Sequence, residues 1–188
     1  MKIIQTTRMT RAMRAVLAST LAVIAAVSAT DAFAALDMFL KLDGVPGESS
    51  DDKHAKEIDV LDWSWGVNGA LPRVQKTAAQ PFCAQGISLT KVVDRSTPVL
   101  LSKAAAGESI PNATLTIRRA GTTPLEFLVI TFTDVRISSE STGGSGGETR
   151  LTENVTLNFG SATVTYTPQK PDGTPDTPVM SAVGGSCL

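Results

Sequence analysis

Short segments of period-two alternation recur along this chain, and they constrain it to a mainly β fold. Leu36, Met38, Leu40 and Leu42 alternate with Asp37, Phe39, Lys41 and Asp43, the pattern of a half-buried strand. Gly44-Val45-Pro46-Gly47 breaks the pattern, and residues 48–56 (ESSDDKHAK) read as a charged loop. Alternation resumes over residues 58–67 (IDVLDWSWGV), and a loop punctuated by Pro72 and Pro81 leads to a third strand over residues 86–93. Residues 113–118 (ATLTIR) alternate again. Residues 125–137 carry Leu125, Phe127 and Val129 on one face and Leu128, Ile130 and Phe132 on the other, which predicts a strand buried on both sides. Residues 155–159 and 162–166 read as a final pair around Gly160-Ser161, and after Pro168 the Pro, Gly, Asp and Thr content predicts an extended tail.

A helix signal appears once in this region. Thr97 is the expected N-cap, Pro98 the first helical residue, residues 99–106 (VLLSKAAA) good helix formers, and Gly107 a left-handed cap. Three turns need packing against a sheet to persist. Many short strands with one short flanking α-helix predict an antiparallel β-barrel or sandwich. A doubly wound α/β fold would require several more helices.

The first 34 residues are set apart. Residues 1–14 hold Lys2, Arg8, Arg11 and Arg14 and no acid, residues 15–27 (AVLASTLAVIAAV) are apolar, and Ala32-Phe33-Ala34 follows. That order is the pattern of a secretory signal peptide over residues 1–34, with an apolar run too short to span a bilayer. Cleavage after Ala34 would leave 154 residues, 35–188, with 13 basic and 17 acidic side chains. Such a chain is large enough for one core and has no basic stripe of the kind that binds nucleic acid. With no second long apolar run, stable membrane insertion is not expected. Cys83 and Cys187 would meet an oxidising compartment, where a bridge closing so long a loop contributes about 3–5 kcal/mol. Two free thiols or a bridge between subunits remain open alternatives, because pairing depends on a spatial approach that sequence does not fix.

Three motifs carry candidate chemistry. Gly143-Gly144-Ser145-Gly146-Gly147 fits G-x-S-x-G, but the sole histidine, His54, lies far upstream, whereas the serine-hydrolase order places its base after the nucleophile. The match is compositional. Asp51-Asp52-Lys53-His54 lacks the spaced oxygen ligands of a calcium loop and the convergent donors of a zinc site, so it reads as a solvated acidic loop, with no cofactor or metal implied. In Trp63-Ser64-Trp65, strand geometry puts both indoles on one face and Ser64 on the other.

Taken in order, several segments resemble the haemolysin-coregulated (Hcp) family of the type VI secretion system. They are DMFLKLDG (37–44) with GES (47–49), HAKEIDVLDWSWG (54–66), STP (96–98), LTIRR (115–119), SSESTGGSGGE (138–148), LTENVTLNF (151–159) and YTPQ (166–169). The resemblance implies an antiparallel β-barrel with a flanking helix, no enzymatic activity, and six subunits in a ring. It further implies that rings stack into a hollow tube that a contractile sheath propels, with a spike protein at the tip and effector proteins in the lumen. By this resemblance Ser64 faces the lumen and helps hold cargo, and the loop with Ser141, Gly143, Gly144, Ser145, Gly146 and Gly147 makes ring contacts.

Two features depart from the family pattern. Family members begin in the cytoplasm without a leader, so this chain is either an Hcp-like ring-forming module secreted through the periplasm, or its translation begins further along and the tube assembles in the cytoplasm. The family also ends in an aromatic-containing strand beyond the Pro-rich segment, whereas this chain ends VMSAVGGSCL (179–188). Loss of that strand would expose a sheet edge, with Cys187 tethering the altered tail to Cys83 or to a neighbouring ring.

Overall fold

The computed structural model describes residues 35–67, 84–121, 123–147 and 149–186. The elements run β1 (Leu36–Leu42), β2 (Ile58–Ser64), β3 (Ile87–Val92), α1 (Ser96–Ala106), β4 (Ser109–Arg119), β5 (Leu125–Gly143), β6 (Thr152–Asn158), β7 (Ser161–Tyr166) and β8 (Val179–Gly184). Neighbours pair antiparallel in the order β4-β1-β2-β3-β6-β5, and β4 pairs back onto β5 to close a six-stranded barrel. β7 and β8 extend from β5. The expected class, an antiparallel barrel with one short flanking helix, is the class observed.

β5 makes the closure possible. One of its edges carries β4 from Leu125 to Arg136, and the other carries β7 from Leu128 to Thr133 and then β6 from Arg136 onward. Ile130 and Phe132 point inward, then Val135 and Ile137, so the parity flips between them. The flip sits at Asp134, whose φ of 48° is rare for a residue with a side chain. The opposing chain bends at the same place, where the Gly160 N–H reaches the carbonyls of Thr133 (2.8 Å) and Asp134 (3.2 Å). Inside this corner Phe132, Phe159 and Trp65 meet, with centroids 4.9–5.9 Å apart. A strand buried on both faces is therefore found only in part: residues 125–129 are half-buried throughout, and from Ile130 one face is core and the other open.

β2 shows the same device. Ile58 and Val60 face the core, a bulge between Val60 and Asp62 shifts the register against β3, and Trp63 and Trp65 then turn inward. The strand ends at Ser64 rather than running to residue 67.

Three expectations require correction. The helix starts at Ser96, two residues before Pro98, and the side-chain bonds at its start come from Asp94 and not from Arg95 at the N-cap position: the Asp94 carboxylate accepts from the Ser96 N–H (2.9 Å), while the Thr97 hydroxyl accepts from the Asp94 N–H (3.1 Å). Gly107 closes the other end at φ 63° as expected. The acidic loop is not solvated at its centre. It folds over the outer face of β1 and β4, where His54 is 7% exposed and stacks on Phe39 at 4.2 Å. Arg118 lies over the same ring (5.0 Å) and pairs with Asp51 and Asp37. Finally, the segment after Pro168 is not wholly an extended tail, because β8 covers the edge of β7. Beyond β8 the chain passes so close to the β6–β7 corner that a Cβ on Gly185 would meet the Gly160 carbonyl oxygen at 2.7 Å.

Two buried ionic centres hold this frame. On the inner face, Lys91 of β3 sits directly across from Glu153 of β6; the two are 1% and 0% exposed. The Lys91 ammonium donates to Glu153, to the Val92 carbonyl and to Asp94 (both 2.9 Å). Removing one partner of such a pair leaves an uncompensated buried charge, a loss of roughly 3–5 kcal/mol, whereas replacing both by apolar groups is nearly neutral. Urea unfolding of Lys91→Met is therefore expected to show that loss, and Lys91→Met with Glu153→Leu to recover most of it.

The second centre predicts an acid response. The hydrogen bond from Arg118 holds Asp51 far below the usual carboxylate range. A depressed folded value means stability that is present above the ordinary pKa and disappears as pH falls toward the folded one. Thermal melts between pH 2 and 5 should show the wild-type midpoint falling more steeply with acid than that of Asp51→Asn.

Candidate functional site

Two of the sequence candidates, Ser64 and Ser141, belong to one surface. After the bulge in β2, Asp62 and Ser64 point away from the core; so do Ser88 and Thr90 on β3 and Asn154 and Thr156 on β6. A register shift in β5, between Ile137 and Ser139, adds Ser139 and Ser141. The pairing registers align these residues in two rows across four strands. One row runs Ser64, Ser88, Thr156, Ser139; the next runs Asp62, Thr90, Asn154, Ser141.

Within the rows the short side chains satisfy one another. The Ser88 and Thr156 hydroxyls are 3.2 Å apart, and the Thr90 hydroxyl donates to Asn154 Oδ1 at 2.8 Å. Asp62 is the sole charge among the eight residues. Such a wall presents no large apolar side chain, and four of its eight side chains are engaged with one another. It can touch a passing chain without gripping it.

Ser64 is held in this wall by its neighbours. Trp63 and Trp65 pack against the core from the strand's other side, and the Trp65 indole N–H donates to the Gln85 carbonyl at 2.9 Å. Ser141 pairs with Asn154, and Gly143 pairs with Thr152 at the tip of the β5–β6 arm. Gly144, Ser145, Gly146 and Gly147 form the exposed connection beyond it, with Gly147 at φ 104°. The G-x-S-x-G serine thus sits in a strand-to-strand connection with no strand-to-helix elbow, and the His54 ring is engaged by Phe39 and by Glu57 at 2.9 Å. Cys83 and Cys187 lie outside the described residues. Their neighbours Ala84 and Ser186 form a backbone bridge, and the Ala84 N–H donates to the Gly185 carbonyl at 3.1 Å.

Sequence reasoning missed the buried charges. Lys91 and Glu153 both occupy core positions of clean alternations, Ile87-Leu89-Lys91 and Glu153-Val155-Leu157, and opposite charges at matching core positions were the available signal. Glu140 was hidden, because only the register shift after Ile137 turns it inward.

Comparison with known proteins agrees with this architecture. A family model described as "Type VI secretion system effector, Hcp" matches residues 39–166. Protein hcp1 of Pseudomonas aeruginosa is 51% identical over 145 residues, which is 76% of this chain and 90% of that protein. Among solved structures, Hcp1 from Salmonella typhimurium is 34% identical, covering 80% of this chain and 94% of that one, with a TM-score of 0.63. A type VI secretion system effector from Yersinia pestis is also 34% identical, covering 79% and 99%, with a TM-score of 0.64. With the barrel, the helix and the signature segments in matching order, the chain belongs to the Hcp family of type VI secretion proteins.

Proposed function

We propose that this chain is a structural subunit of a type VI secretion tube, in which six copies form a ring, rings stack, and the polar wall through Ser64 and Ser141 lines the bore. The observation that carries the reading is that wall: four strands presenting short polar side chains, those of β3 and β6 hydrogen-bonded to one another, suit a conduit through which effector proteins must slide. Its role is assembly and transport, with no bond chemistry. Contractile sheath and tip spike are the further partners.

Head-to-tail contact between unlike surfaces closes into a ring when the rotation fits. An open edge supports such contacts here. β8 pairs with β7 alone among the described strands, and its Val179 and Met180 are 65% and 67% exposed. The β5–β6 arm, with Gly143, Gly144, Ser145, Gly146 and Gly147 at its tip, is the proposed contact between rings. A Cys83–Cys187 disulfide would fasten the end of β8; the Ala84–Ser186 bridge, which holds the flanking backbones side by side, supports it.

Residues 35–188 are proposed as the barrel domain, with residues 1–34 as a leader directing it to the periplasm and beyond. That leader pattern favours a second reading, an exported ring-forming binding module acting outside the cytoplasm.

Light scattering on the purified protein, with and without reductant, should return six chain masses in both conditions. A monomer in both would sink the ring. Non-reducing mass spectrometry should find Cys83 and Cys187 in one linked peptide; two free thiols would remove the disulfide.

A further inference from the structure

The β5–β6 arm is rooted on a buried group that the tube reading does not use. Glu140 lies opposite Val155 of β6, so Glu153, two residues along the same face, is its diagonal neighbour, and Lys91 of β3 stands directly across from Glu153. Both Glu140 carboxyl oxygens and Glu153 Oε2 are sealed from solvent and have no hydrogen-bond partner among the described residues. Glu153 Oε1 already accepts from Lys91 and from the Thr97 hydroxyl.

The local cation is committed. Lys91 directs its ammonium to Glu153, Asp94 and the Val92 carbonyl, none of which is Glu140. The charged groups acting on Glu140 are Glu153 from β6 and Lys91 from β3, and Lys91 is itself paired with Asp94 from the loop before α1. α1 adds the uncharged Ser96 and Thr97, and its Lys103 is paired with Glu108. A second buried carboxylate here has no counter-charge of its own, and leaving it ionised is costly. Burial first, and then Glu153, push the Glu140 carboxyl up to about 7, with Lys91 pulling the other way.

We propose that Glu140 is a proton-operated latch: protonated, it lets the arm, residues 138–143 of β5, lie closed on β6, and release of the proton to solvent frees the arm while β6 stays paired with β3. A protonated Glu140 is a donor, and Glu153 Oε2 is an open acceptor on the same face. Ionised, it sets two carboxylates against one committed ammonium, and opening the arm lets water reach them. The folded value lies above the ordinary one, so the closed arm binds the proton more tightly than the open arm. The opening equilibrium therefore rises up to about tenfold per pH unit between the ordinary glutamate range and about 7, and levels off above it. This latch acts within one chain and stands whether or not rings form.

Amide hydrogen exchange on the full chain from pH 5 to 8, corrected for intrinsic rates, reads it directly. Arm amides should lose protection by up to about tenfold per unit up to pH 7, while β1 and β4 amides hold, and Glu140→Gln should stay protected and flat. Identical profiles in wild type and Glu140→Gln, or a flat wild type, would overturn the latch. A carbon-13 titration of Glu140 in the wild type decides the case independently of how the variant folds: a midpoint near neutrality supports it, and one in the ordinary glutamate range contradicts it.

Discussion

Barrel closure rests on one strand serving two sheets. β5 is 19 residues long, and no straight strand could pair with β4, β7 and β6 while keeping apolar side chains inside along its whole length. It manages this by breaking its inward-outward alternation twice, through a bend at Asp134 that keeps the register with β4 and through a register shift against β6 after Ile137. Each break flips which residues face inward. The first lets Phe132, Phe159 and Trp65 fill the corner; the second turns Glu140 inward and places Ser139 and Ser141 on the outer wall. Core, wall and latch all follow from that geometry.

The ionic interior has a related logic. At the root of the arm the barrel keeps Lys91, Glu153 and Glu140 where apolar residues would pack more cheaply. What such a cluster adds over an apolar one is directional and responsive: it fixes β3 against β6 by a single cross-strand pair and makes the adjoining arm sensitive to one proton. Arg118 performs a different task on the opposite surface, fastening the 47–57 loop over Phe39 through Asp51.

Much of this was legible in the sequence. Period-two runs located β1, β3, β6 and β7 to within a few residues, and Pro98 and Gly107 located the helix. What escaped is what alternation alone cannot encode. A bulge in β2, a bend at Asp134 and a register shift after Ile137 break parity at points where the strands themselves carry no glycine or proline, so the inward turns of Trp63 and Glu140 depend on cross-strand registers. β8 was missed because VMSAVG is short, weakly alternating and largely exposed; its place comes from pairing with β7. The 48–56 loop was misjudged because its charges find Arg118, a partner more than sixty residues away. Ser64 and Ser141 were singled out separately, and the pairing registers place them in adjacent rows of one face.

The account stands on that face being the wall of a bore. The most direct measurement is an electron cryo-microscopy reconstruction of the assembled protein at side-chain resolution. The account predicts Ser64, Ser88, Thr156 and Ser139 lining the central channel. An assembly in which those four residues face outward, or are buried between subunits, would contradict it.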